Sequence, residues 1–317
     1  MKLKPVSILF AFLVLCCLVS CKELIEPSME KKTVTPLAPG EGYQSTSYTV
    51  NFWWDEVEDA TQYRLQVVTP GFDTVGALMA DTLVKGNKFA FSLSPGRYAW
   101  RVRAENNSSF SGFSAAKSFT VVASSIKQQK VILTAPANNA LTNQDAATFR
   151  WTELYGATKY QLQVDSNNFA NEASVVYDIS IPATQYTFFF PRDRQYQWRV
   201  RAANDTAQAL WSEVRVINYD HTPPGLVTLV SPAEGQSLPL PVNLQWNNVL
   251  GATRYRVYVY KADGTTLFNT SFPVAVTTNS YSFNLGVPGD KIYWKVSALD
   301  AAGNEGTASA LRSFTIQ

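Results

Sequence analysis

Three tryptophans set a register that recurs along this chain and dictates its layout. Trp54, Trp151 and Trp246 are each followed nine residues later by a tyrosine, at Tyr63, Tyr160 and Tyr255. An Ala-Thr step lies between each pair, at Ala60-Thr61, Ala157-Thr158 and Ala252-Thr253. A second tryptophan comes 46 to 48 residues after the first, at Trp100, Trp198 and Trp294. Each bulky ring needs its own buried site, so a period near 95 residues marks one packing unit used three times. Length alone, 317 residues, allows two or three domains, and the repeat selects three.

The second tryptophans open the stretches Trp100-Arg101-Val102-Arg103-Ala104, Trp198-Arg199-Val200-Arg201-Ala202 and Trp294-Lys295-Val296-Ser297-Ala298. Apolar and polar residues alternate in all three, the period of a strand buried on one face. The tyrosine-led stretches alternate the same way: Tyr63, Leu65 and Val67 fall on one face, Arg64 and Gln66 on the other. Tyr160, Leu162, Val164 and Tyr255, Val257, Val259 repeat that pattern. Turn residues recur at close spacing, as in Ser94-Pro95-Gly96, Asp263-Gly264 and Pro288-Gly289, and no amphipathic helical period stands out. The predicted fold class is all-β, three tandem antiparallel sandwiches. Their expected core is Trp54, Tyr63, Trp100, Trp151, Tyr160, Trp198, Trp246, Tyr255 and Trp294.

On these residues each copy resembles a fibronectin type III domain: an early tryptophan strand, a tyrosine-led middle strand, and a late strand of the form Tyr-x-x-x-Val-x-Ala. The resemblance implies domains at 34–122, 131–219 and 226–317. It also places a tyrosine corner at Tyr98 and Tyr196, whose hydroxyls would bond back to upstream backbone; the third copy has Ile292 there. Each copy opens on a proline-bearing lead ending in Pro39, Pro136 or Pro232, suited to an edge strand because proline cannot donate to a ladder. The joint at 123–130 reads as modestly flexible. Asp220-His221-Thr222-Pro223-Pro224-Gly225 reads as stiffer, since two prolines fix φ.

The N-terminus carries a different signature. Met1-Lys2-Leu3-Lys4 is a cationic start, Val6 to Val19 is an uncharged apolar run, and Leu18-Val19-Ser20-Cys21 closes it. About 14 residues make roughly 21 Å of helix, short of the ~30 Å hydrocarbon layer, so the run is expected to be a removable signal rather than a permanent span. This order resembles the lipobox of bacterial lipoproteins, and Lys22-Glu23 with Glu26 partly resembles the charged surface-export signal of Bacteroidetes lipoproteins. The resemblance implies a signal peptide at 1–20, lipidation at Cys21 and an outer-membrane location, facing either the cell surface or the periplasm. Residues 21–33, polar and proline-bearing, are expected to form a flexible tether.

Removing residues 1–20 takes away Lys2 and Lys4 and no acids, leaving 27 − 2 = 25 basic against 25 acidic residues. A neutral chain argues against nucleic acid as a partner, since phosphate neutralisation supplies most non-specific affinity. Cys16, Cys17 and Cys21 are the only cysteines, so no disulfide or thiolate metal site is expected within the sandwiches. His221 is the only histidine and lies in a proline-rich joint, which leaves no material for His-based catalysis or zinc. No enzyme, cofactor or metal is expected. The Asp300–Glu305 loop has oxygen ligands, but Asp, Gly and Asn are also what a tight turn requires.

Binding residues are sought among aromatics outside the repeat pattern and in basic stripes. Trp53 neighbours Trp54 on one strand, so alternation turns it outward. Trp211 stands before the last strand of the second copy. Exposed rings of this kind can stack on sugars or anchor a protein. The outer face of the late strand offers Arg101, Arg103, Arg199 and Arg201, a candidate stripe for an anionic polysaccharide, although such arginines more often cover a sheet with their stems. The expected function is a membrane-anchored module for adhesion or glycan capture, with carbohydrate or an envelope protein as partner. The alternative is a structural spacer of an envelope complex.

Overall fold

The computed structural model describes residues 26–317. Residues 1–25, and with them the expected signal peptide and lipidation site at Cys21, lie outside the described residues. The described chain folds into three β-sandwiches of eight strands each. In the first, a three-stranded sheet takes β1 (Pro36–Ala38), β3 (Thr49–Trp54) and β6 (Lys88–Ser92). A five-stranded sheet in the order β2-β8-β7-β4-β5 takes β2 (Tyr43–Ser45), β4 (Gln62–Pro70), β5 (Val75–Val84), β7 (Gly96–Glu105) and β8 (Lys117–Val121).

The second sandwich repeats this with β9 (Leu133–Ala135), β11 (Ala146–Trp151) and β14 (Gln185–Phe189) in the small sheet. Its large sheet runs β10 (Ala140–Thr142), β16 (Arg215–Tyr219), β15 (Arg194–Ala203), β12 (Lys159–Asp165), β13 (Tyr177–Ile181). The third has β17 (Leu229–Ser231), β19 (Val242–Trp246) and β22 (Ser280–Phe283) against β18 (Gln236–Leu238), β24 (Arg312–Ile316), β23 (Lys291–Leu299), β20 (Arg254–Tyr260) and β21 (Val274–Val276). In all three, the middle strand of the small sheet carries the first tryptophan and the middle strand of the large sheet carries the second. The pairing is antiparallel as expected except at one edge of each large sheet, where β2 runs parallel to β8, β10 to β16 and β18 to β24.

The nine recurring rings are 4% exposed or less. The nine-residue spacing has a direct cause: the tryptophan ends one strand of the small sheet, the tyrosine begins a strand of the large one, and the two rings meet across the core. Trp54 and Tyr63 lie 5.5 Å apart, Trp151 and Tyr160 5.9 Å, Trp246 and Tyr255 5.5 Å. Each such ring buries about 150–250 Å², worth about 4–6 kcal/mol before the cost of ordering. The tyrosine corners form at Tyr98, whose hydroxyl donates to Ser94 O at 2.8 Å, and at Tyr196, which donates to Arg192 O at 2.8 Å. Ile292, 1% exposed, fills that place in the third sandwich with an apolar side chain.

The proline leads are edge strands β1, β9 and β17. Their terminal carbonyls face the core and need donors. In the first sandwich the Trp100 indole N–H donates to Pro39 O at 2.9 Å. In the other two a guanidinium does this: Arg215 donates to Pro136 O and Leu133 O, and Arg312 to Pro232 O and Leu229 O. Lys117, Arg215 and Arg312 are cross-strand partners of Trp100, Trp198 and Trp294, so one position decides which group caps the lead.

The chain divides into two compact units. One ends at Lys130 and takes in Leu154–Gly156; the other comprises Val131–Glu153 and Ala157–Gln317. Within the first unit, composition predicts a flexible tether as far as residue 33, whereas from Glu26 onward the chain is bound down. Met29 is fully buried and its N–H donates to Ser109 Oγ at 2.9 Å. Asn106 Nδ2 donates to Pro27 O at 2.8 Å, Asn107 N donates to Glu26 Oε2 at 2.7 Å, and Lys32 pairs with Glu58 at 3.3 Å. A polar-looking leader is ordered because one apolar side chain, one backbone N–H and one carbonyl find partners. The joint at 123–130 is likewise fixed: Gln129 accepts from Tyr48 N at 2.8 Å and donates to Thr46 O at 2.9 Å.

Candidate functional site

The outer face of the small sheet in the first sandwich carries the exposed indole. Trp54 turns inward and Trp53 outward, where it stays 45% exposed. Opposite it on β6 is Lys88, whose Nζ lies 5.8 Å from the indole centroid. Asn51 and Ala90 form the next cross-strand pair, and these residues line an open hollow of 330 Å³. Tyr48, a residue that could have covered Trp53, is instead buried, its hydroxyl donating to Ser124 O at 2.9 Å. The positions equivalent to Trp53 and Lys88 are Arg150 and Gln185 in the second sandwich, Gln245 and Ser280 in the third. The shelf belongs to the first sandwich alone.

The arginine stripe is built differently from an open basic surface. Arg101 and Arg103 project from β7 and are interleaved with rings: Arg101 lies 4.3 Å from Phe72 and 4.3 Å from Phe113, Arg103 4.8 Å from Phe113 and 4.1 Å from Phe110. In the second sandwich Arg199 lies 4.1 Å from Phe169 and 4.2 Å from Trp211, and Arg201 lies 4.4 Å from Trp211. Trp211 therefore packs on its own sheet, each face of the ladder being a planar guanidinium on a ring.

Side chains on the neighbouring strands hold the guanidinium groups flat. Arg101 Nε donates to Gln66 Oε1 at 3.0 Å, and Gln66 donates to Asp81 at 3.1 Å. Arg199 and Arg201 donate to Gln163 and Gln161, at 3.0 and 2.8 Å, and both amides donate on to Asp178 at 2.8 Å. Arg103 and Arg64 share Glu105, at 2.8 and 3.0 Å. Burial raises the Asp81 carboxyl, but Gln66 and Arg64 hold it below its ordinary value overall. The stripe is a relay of Arg, Gln and Asp across three strands, with its positive charge largely answered.

The third sandwich shows what the ladder requires. Ser114, Ser212 and Ser309 accept from Val102, Val200 and Val296 N at equivalent places, which aligns Phe113 and Trp211 with Ala308. With the ring gone, Arg101/Arg199 becomes Lys295 and Arg103/Arg201 becomes Ser297. Lys295 Nζ lies 5.3 and 5.6 Å from Tyr258 and Tyr260, whose rings are parallel within 7°. Glu305 gathers this face, accepting from the Tyr258 hydroxyl at 2.9 Å and Ser297 at 2.5 Å and pairing with Arg256. Burial pulls its pKa up, and the Ser297 and Tyr258 hydroxyls with Arg256 leave it lowered.

The Asp300 carboxylate is spent on its own turn, accepting from Gly303 N at 2.8 Å and from Asn304 N and Nδ2 at 2.9 Å each. Among the described residues no group of three or more acidic, histidine or cysteine side chains is placed to hold a metal ion. His221 is exposed; its Nδ1 lies 3.0 Å from Asn143 O, which, with Asp145 and Asp193, raises its pKa. Asn304 Nδ2 also donates to Asp220 O at 2.8 Å, tying the third sandwich to the joint before it. Sequence reasoning missed Phe72, Phe110 and Phe169 as ladder rungs; all three lie outside the repeated stretches.

No protein-family model matches this chain, and no curated protein matches it. Among solved structures it is similar to the chicken CNTN1 FN1–FN3 domains, at 16% identity and TM-score 0.40, covering 90% of this chain and 97% of that one. It is also similar to the fibronectin(III)-like modules of Clostridium thermocellum CbhA, at 15% identity and TM-score 0.23, covering 59% of this chain and 94% of that one. Both neighbours are built of fibronectin type III domains.

Proposed function

We propose that this chain is a lipid-anchored, non-catalytic lipoprotein of the outer membrane that captures carbohydrate on the Trp53 face of its first sandwich. One observation carries the reading: an indole stands 45% exposed on a sheet where the two sister copies place Arg150 and Gln245. Exposed large rings that the fold does not need are the usual anchors of recognition. A sugar ring would stack on the indole while Asn51 and Lys88 meet its hydroxyls or carboxylates.

Acylation at Cys21 fits the docked leader. Five residue steps separate Cys21 from Glu26, a span of at most about 17 Å, so a lipid on Cys21 would hold the first sandwich close to the bilayer. The experiment is a glycan array probed with the chain from Lys22 onward, beside its Trp53→Ala variant. Binding that the variant loses with its fold intact supports the proposal, and an array without binding refutes it. The mass of the mature N-terminal peptide tests the anchor separately.

A structural spacer is the second reading, favoured by the filled arginine ladders and by the Asn304 tie at the joint. It predicts that Trp53 is replaceable and that loosening the joint is not.

A further inference from the structure

The terminal strands of the described sheets are short, with one exception. β13 has five residues and β21 three; β1, β9 and β17 have three each and run into proline; β2, β10 and β18 also have three. β5 has ten, Val75 to Val84, and forms the free edge of its five-stranded sheet. Proteins blunt such edges with brevity, charge or proline, because unpaired N–H and C=O groups template another strand. β5 is neither short nor closed by proline, and its one charge, Asp81, is engaged by Arg64 at 2.9 Å and Gln66 at 3.1 Å; its ladder with β4 slips twice, passing over Met79 and Gly76, which have no partner on β4. Four of its apolar side chains are open to solvent, with Val75 53%, Leu78 57%, Met79 36% and Leu83 45% exposed.

We propose that β5 pairs antiparallel with β5 of a second copy, joining two five-stranded sheets into one of ten strands across a two-fold axis. The sequence around the strand is self-complementary in that direction. Centred on Met79, pairing sets residue i opposite 158 − i, so Val75 meets Leu83 and Asp73 meets Lys85 at each end. Two opposite-charge pairs then fix the register, and Met79 packs on its counterpart at the axis. A two-fold edge pairing closes on itself, leaving no further edge for a third copy.

Sedimentation of the chain from Lys22 onward tests this, with four variants. The parental chain is expected to dimerise, and Met79→Lys, which sets like charges face to face on the axis, to be monomeric. Asp73→Lys and Lys85→Asp alone each place like charges opposite at both ends and should weaken the dimer by about tenfold or more. Asp73→Lys with Lys85→Asp restores the pairs and should restore the dimer, an outcome that damage to the fold would not produce. A parental chain that stays monomeric up to roughly 0.5 mM, far above the concentrations at which stable dimers form, overturns the proposal. So does a dimer indifferent to Met79→Lys, or a double variant as weak as the singles.

Discussion

Replacing Trp211 with alanine removes the shared rung of the second sandwich's ladder. The indole lies 4.2 Å from the Arg199 guanidinium and 4.4 Å from that of Arg201. A cation–π contact is worth about 0.5–1 kcal/mol at an exposed site and about 2 when desolvated. The Arg199 side chain is only 12% exposed, so its contact belongs near the upper end, and the two together make about 2–3 kcal/mol. Roughly half the indole's surface is also lost from packing, about 2 kcal/mol more. The expected cost of Trp211→Ala is therefore about 4 kcal/mol, while Trp211→Phe, the arrangement the first sandwich already uses at Phe113, costs about 1.

The readout is hydrogen exchange of peptides from β15 and β16, because a three-sandwich chain need not unfold in one step. A double-mutant cycle of Trp211→Ala with Arg201→Ala isolates the stacking. Coupling of about 1 kcal/mol is expected, and coupling under about 0.3 kcal/mol would show the groups to be neighbours without mutual attraction.

Met29→Ala should destabilise the leader's docking by about 2–4 kcal/mol, read as faster tryptic cleavage after Lys31 and Lys32. Tyr98 and Tyr196 have pKa values raised by burial, so the neutral phenols stabilise the fold fully below the unfolded value near 10. That stability should be lost as pH rises through the folded values, and a Tyr98→Phe, Tyr196→Phe chain should lose less between about pH 10 and 12 in urea titrations. At Gly306 an added Cβ would drive into Pro224 O, so Gly306→Ala should free the joint and speed exchange across residues 220–226 without altering peptides of the first sandwich.

The core of this fold was legible because aromatic rings mark it at fixed offsets. Trp54 and Tyr63 are close in sequence and touch across the core, and the tyrosine corners at Tyr98 and Tyr196 follow from the same count. The outward turn of Trp53 followed from simple alternation. The ladder was not legible as a ladder. Its arginines showed as a stripe, but Phe72, Phe169 and Trp211 reach it from connections whose path no local pattern fixes. The docking of Glu26–Val34 was hidden for another reason: it is held by the Pro27 carbonyl, the Met29 N–H and the single buried side chain of Met29, and backbone groups leave no mark on composition.

The turn at Asn106 grips Pro27 O as Asn304 grips Asp220 O, so the leader occupies on the first sandwich the seat that an incoming linker occupies on the third. A seat filled in this way is closed to any other segment. Another sandwich spliced directly ahead of Glu26 would have to evict the leader or supply a connector of the same shape. The approach of the chain to the first sandwich is thereby set by the fold rather than by a slack strap.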